Sequence, residues 1–164
     1  MKLVKSVLVE MILPFLTAWF FMTVLVDIVA IPTVFRNISN LEEAGKIGMT
    51  LFGKFNCIEM FFGMCVLLGT VSIKEMPKWL VAFPVLLLSF SIVYTFYMTP
   101  MIARTGIEMH AVAVTDPQYA VFKHQLKIYH DIYRYFDTTK LLMLIIFGIM
   151  MTRFNLKRMH KECV

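Results

Sequence analysis

The stretch Ile47-Gly-Met-Thr-Leu-Phe-Gly-Lys-Phe-Asn-Cys-Ile-Glu-Met-Phe-Phe-Gly-Met-Cys-Val-Leu-Leu-Gly-Thr-Val-Ser-Ile73 has Lys54 and Glu59 as its only charged side chains. A helix rises about 1.5 Å per residue, so a run of this length exceeds the roughly 30 Å hydrocarbon core of a bilayer. Working outward, three further apolar runs have similar reach. They cover residues 7–29 (resuming as Ala30-Ile31-Pro32), 79–98 (stopping at Thr99-Pro100) and 136–154. Four such runs predict an all-α, polytopic integral membrane protein with four transmembrane helices in a bundle. Pro14 and Pro84 fall inside runs, where each is expected to kink the helix. Met76-Pro77 marks a tight turn between the second and third spans.

Composition agrees. Of 164 residues 59% are hydrophobic and 16% charged, against about 45–50% and about 25% in soluble domains. Mean hydropathy is +0.74. These values exclude a disordered chain, a disulfide scaffold and an ordinary soluble enzyme, and they fit one domain over residues 1–164. Cys57, Cys65 and Cys163 form no CxxC pair, so a structural zinc site is not expected. The net charge of +5 brackets apolar runs, which points to a lipid bilayer rather than nucleic acid. Met1-Lys-Leu-Val-Lys5 has the character of a signal-peptide start. The run after it carries Glu10 and Pro14 and no small-residue cleavage site, so a retained first span is expected.

Lys2, Lys5, Lys74, Lys78, Arg153, Lys157, Arg158 and Lys161 crowd two tails and one short turn. Arg36, Lys46, Arg104, Lys123, Lys127 and Arg134 are spread through longer segments among acidic residues. The density of basic residues predicts both termini cytoplasmic, as in a bacterial inner membrane or its equivalent. Trp79, Tyr94 and Tyr97 fit interface belts at the ends of the third span. Asp116-Pro117 reads as a capping residue with proline at the first helical position. It opens a long helix, amphipathic in its first half, that enters the membrane in its second.

Glu10, Asp27, Lys54, Glu59, Asp137 and Lys140 lie in or at the edges of spans. Ionisable groups at bilayer depth cost several kcal/mol unless paired or wet. Lys54 and Glu59 are the deepest, whereas Asp27, Asp137 and Lys140 read as paired or snorkelling charges near the outer interface. Met49, Cys57, Met60 and Met64 fall within about 80° of one another at helical period. Soft donors of this kind suit Cu(I), which gives a candidate metal set of Cys57, Glu59, Met60 and Met64. Flexible packing is the bland reading of the same stripe. His110, His124 and His130 are candidate ligands for haem b, since bundles hold cofactors between facing helices. His130, Arg134 and Asp137 share one helix face. Gly45, Gly48, Gly53, Gly63 and Gly69 supply small positions for close helix contact, and with them a route to a homo-oligomer or membrane-protein partner. No GxSxG, HExxH or Walker motif is present.

Three stretches carry a resemblance. They are Asp27-Ile-Val-Ala-Ile-Pro-Thr-Val-Phe35 with Glu43-Ala-Gly-Lys-Ile-Gly-Met-Thr-Leu-Phe52; Tyr94-Thr-Phe-Tyr-Met-Thr-Pro-Met-Ile102; and Leu126-Lys-Ile-Tyr-His130 leading to Leu141-Leu-Met-Leu144. Together they resemble the small four-helix membrane family that includes transmembrane protein 205-like proteins. The resemblance implies a four-helix bundle and, for eukaryotic members, an association with metal-drug tolerance and trafficking. The family's Leu-His pair becomes Tyr129-His130 here, and its Ser and Asn positions hold Tyr133 and Asp137. The function expected is a non-enzymatic membrane protein that binds or moves a small solute, with a soft metal ion or haem as candidates. The alternatives are a structural or interaction subunit of a membrane complex and a haem-dependent membrane redox protein.

Overall fold

A computed structural model describes residue 7 and residues 9–162. Lys2, Lys5 and Cys163 lie outside the described residues, as does the signal-like start at residues 1–5. The described chain is helical, without a strand. Its elements are α1 (Ile12–Val24), a π-helical turn (Leu25–Ala30), α2 (Ile31–Asn37), α3 (Leu41–Val71), α4 (Lys78–Val93), a second π-helical turn (Tyr94–Met98), α5 (Thr99–Ala111) and α6 (Pro117–Glu162). Among the described residues four helical spans are long and apolar enough to cross a membrane: Ile12–Asn37, Glu42–Val71, Lys78–Ala111 and Pro117–Arg158.

The local chemistry explains the ends. Asn40 accepts from the backbone N–H groups of Glu42 and Glu43 at 3.0 and 3.4 Å. This side-chain cap starts the second span six residues before the apolar run does. Asp116 accepts from the N–H of Gln118 at 2.8 Å, and the helix that follows is 46 residues long, as the capping pattern predicts. The third span does not stop at Thr99-Pro100. A proline lacks an N–H and its ring crowds the carbonyl four residues earlier. Here the π-helical turn Tyr94–Met98 precedes Pro100 and the helix continues to Ala111. The first span repeats the device, with Leu25–Ala30 ahead of Pro32. Pro14 sits in the first turn of α1, where its missing N–H costs little. Pro84 is accommodated inside α4, buried, without ending it.

Packing runs around a ring. The first span lies against the second and fourth, and the third against the second and fourth. The second and fourth spans face each other across a diagonal without close backbone approach among the described residues. Each span turns a row of buried residues at alternating three- and four-residue steps toward the centre. These rows are Ile12, Leu16, Trp19, Thr23 and Val26; Asn56, Glu59, Gly63, Val66 and Thr70; Leu80, Pro84, Leu87, Ser91, Tyr94 and Met98; and Tyr133, Asp137, Lys140, Leu144, Phe147 and Met151. That spacing is the seam of left-handed helix bundles. At one end the centre is apolar, with Phe83 and Phe147 stacked at 5.6 Å. At the other it is aromatic, around Tyr94, Met98 and Tyr133. Outside, Phe21, Leu25, Phe61, Leu68, Leu86 and Phe96 are among many exposed large apolar side chains. The bundle is therefore apolar outward and polar at its middle.

Gly63 lets the second and third spans meet. A Cβ there would come within 3.1 Å of Leu88 Cδ1 and 3.3 Å of Leu88 Cα, whereas a Cβ on Gly53 meets nothing within 4 Å. Gly63→Leu is expected to destabilise the bundle by about 1–3 kcal/mol, and Gly53→Leu to leave it unchanged. Thermal unfolding in detergent checks this, and equal melting of the two variants would contradict it.

Candidate functional site

Near the midpoint of every span the inward rows turn polar. Lys140 and Glu59 are each 0% exposed and Asp137 is 7% exposed. Lys140 Nζ donates to Glu59 Oε1 at 2.6 Å and lies 2.5 Å from Asp137 Oδ1. The first contact joins the two spans that face each other across the diagonal. Glu59 Oε1 also accepts from Trp19 Nε1 at 2.8 Å. Thr23 Oγ1 lies 3.2 Å from the same oxygen and 3.0 Å from the Trp19 carbonyl. Its single proton is divided between these two acceptors. The ammonium sits 5.0 Å from the Tyr94 ring centroid and 5.7 Å from that of Phe55, within cation–π range.

A second polar layer adjoins the first. Tyr94 and Tyr133 stack with centroids 4.6 Å apart. Tyr133 Oη donates to Asn56 Oδ1 at 3.5 Å, and Asn56 Nδ2 donates to Thr99 Oγ1 at 2.9 Å. Asp27, in the first π-helical turn four residues beyond Thr23, is half-buried with its Oδ2 enclosed. Both π-helical turns thus place a polar side chain, Asp27 or Tyr94, at the cluster.

Two carboxyls contact one ammonium, and the hydrogen-bond count around them does not close. Glu59 Oε2, Asp27 Oδ2 and the Tyr94 hydroxyl are enclosed without a hydrogen-bond partner, and Asp137 Oδ1 has only its ion contact with Lys140. Buried polar atoms are almost always paired. Glu59 Oε2, Asp27 Oδ2 and the Tyr94 hydroxyl are three exceptions close together.

The sequence-derived candidates separate. Glu59 faces the centre. Cys57 and Met64 are exposed on the opposite side of α3, and Met60 lies half-buried between. His110, His124 and His130 are all exposed. Among the described residues no three His, Cys, Asp or Glu side chains come together in a way that could hold a metal ion. Lys54, read as the deep cation, is exposed. Its place is taken by Lys140, which hydropathy alone puts at the edge of the fourth span. Tyr94, read as an interface aromatic, is fully buried, while Trp79 and Tyr97 are exposed. On α6 the inward face is Tyr133, Asp137 and Lys140, with His130 and Arg134 turned outward. The signal for Lys140 is present in the sequence. Stepping back from the apolar row Met151, Phe147 and Leu144 by three and four residues reaches Lys140, Asp137 and Tyr133.

Breaking a buried pair leaves one charge uncompensated, a loss of about 3–5 kcal/mol. Lys140→Met should therefore melt far below wild type in detergent, and Lys140→Met with Glu59→Gln should recover much of the difference. Lys54→Met should melt as wild type does. A double variant no better than the Lys140→Met single variant would contradict the pairing.

No protein-family model, curated protein or solved structure matches this chain.

Proposed function

We propose that the protein is an integral membrane protein, with both termini cytoplasmic, whose buried charge cluster binds or moves a small solute. The observation that carries this reading is the fully enclosed Lys140–Glu59 pair, with unpartnered carboxyl oxygens beside it, inside a bundle whose exterior is apolar. An apolar exterior around a charged centre is the inverse of a soluble bundle, and it suits lipid. Ionisable groups held at that depth mark ion or substrate pathways more often than scaffolding. Hard oxygen donors beside an ammonium favour a proton or a small polar molecule over a soft metal ion. The resemblance to transmembrane protein 205-like proteins belongs to the same proposal. A second reading, an interaction subunit, draws on Gly45 and Gly53, where an added Cβ would meet nothing within 4 Å.

Purified protein in liposomes with trapped dyes for protons, potassium and chloride tests the reading. At least one flux should exceed that of protein-free liposomes and fall to background in the Lys140→Met, Glu59→Gln double variant. If none of the three fluxes exceeds background, the solute-moving reading is set aside for these ions and the interaction subunit gains.

The orientation has its own check. In a background free of native cysteines, Lys78→Cys should resist an impermeant thiol reagent applied to intact cells, and Val114→Cys should react. The reverse pattern would invert the topology.

A further inference from the structure

We propose that the groove between the first and fourth spans binds one anionic phospholipid, with an acyl chain along the groove and the headgroup phosphate on Arg153. This goes beyond solute handling at the buried cluster, and it rests only on the membrane-insertion part of that reading.

The groove has a volume of about 510 Å³, within the range of small-molecule sites. α1 lines it with Leu13, Leu16 and Phe20, and α6 lines it with Leu144, Ile145 and Ile149. Ile145 and Ile149 are exposed, so it opens on the outer surface of the bundle. Gly148 keeps it clear, since an added Cβ there would meet nothing within 4 Å.

The groove has the length and depth of one leaflet. The four-residue steps Ile145, Ile149, Arg153 and Lys157 of α6 change from apolar to cationic, and Arg153 lines the groove at its polar end. Leu144 and Arg153 are separated by about 13 Å of helix axis at 1.5 Å per residue. Half of the hydrocarbon core is roughly 15 Å. Lys140 and Arg153 are separated by about 20 Å on the same measure. With the charged centre near the bilayer midplane, the Arg153 guanidinium therefore lies in the headgroup layer.

Charge selects the occupant. Arg153 is exposed and has no ion-pair partner among the described residues. The neighbouring Thr152 hydroxyl is committed to the Gly148 carbonyl at 2.9 Å, which leaves the guanidinium as the donor at this end. A guanidinium holds a phosphate through two parallel hydrogen bonds. Lys157, one turn on and also exposed, adds a second positive charge. That charge repels the ammonium of a zwitterionic headgroup and attracts a net anionic one. Basic pockets between transmembrane helices hold anionic headgroups in this way.

Native mass spectrometry of the intact protein, released from nanodiscs of equal phosphatidylglycerol and phosphatidylcholine, tests the site. One phosphatidylglycerol should stay on each chain, favoured about tenfold over phosphatidylcholine. Arg153→Gln should bring the two lipids to parity. Gly148→Phe, which fills the groove with a side chain, should lower retention of both lipids several-fold. Arg134→Gln, at an exposed cation near the other end of the span, should keep the wild-type preference. Arg153→Gln alters an exposed side chain and decides alone should Gly148→Phe not fold. Equal retention of the two lipids by wild type, or an unchanged preference in Arg153→Gln, would overturn the proposal. So would a lipid-free dimer that Gly148→Phe breaks, which seats a second copy in the groove. Alkaline carbonate separates the failures. A protein that it strips from membranes loses the membrane reading and this site together, whereas one that stays in the membrane without retained lipid loses the site only.

Discussion

An ammonium group with no exposed surface must find its counter-charge inside the protein, and Lys140 finds it across the diagonal of the bundle at Glu59 Oε1, 2.6 Å away. Desolvating two charges in an apolar interior costs several kcal/mol per ion. The arrangement persists only if donors and acceptors arrive together. Trp19 and Thr23 come from the first span, Glu59 and Phe55 from the second, Tyr94 from the third, Lys140 and Asp137 from the fourth. A slip of one residue in any span turns its contributor away from the centre, because side chains on a helix rotate about 100° per residue. The ion pair therefore fixes the register of all four helices, which apolar packing alone does only loosely.

The two π-helical turns belong to the same constraint. Each lies just before a proline and each presents one polar side chain at cluster level, Asp27 in the first span and Tyr94 in the third. An inserted residue in the helical ladder shifts the phase of everything beyond it. The spans can then meet the apolar core at one end and the aromatic layer at the other while the polar residues still converge between them. Breaks of this kind concentrate at functional positions in helices, and both here sit at the cluster.

Much of the architecture is legible in the residues. Apolar run length marks the four spans, Met76-Pro77 the short turn, and Asp116-Pro117 the start of the long final helix. Burial of Glu59 follows from its place in the second run. Its partner is less legible, because hydropathy confines the fourth span to residues 136–154 and puts Lys140 at the edge. The true centre of the helix follows from the inward row, whose three- and four-residue steps carry through Lys140 and Asp137 to Tyr133. Lys54 misleads for the same reason. It lies deep by run position but on the outward face by helical phase. The soft stripe of Cys57 and Met64 shares that outward face, so its spacing is genuine and its direction is away from the charged centre. The continuation of the third span through Pro100 depends on a π-helical turn, for which no local sequence signal distinguishes a stop from a bend.

The most direct measurement is a solid-state NMR distance in lipid bilayers between the Lys140 side-chain ¹⁵N and glutamate ¹³C carboxyls. The account predicts strong dipolar coupling from one carboxyl, lost in Glu59→Gln, with the ammonium shielded from exchange with bulk water. A freely exchanging Lys140 amine without carboxyl coupling would contradict it.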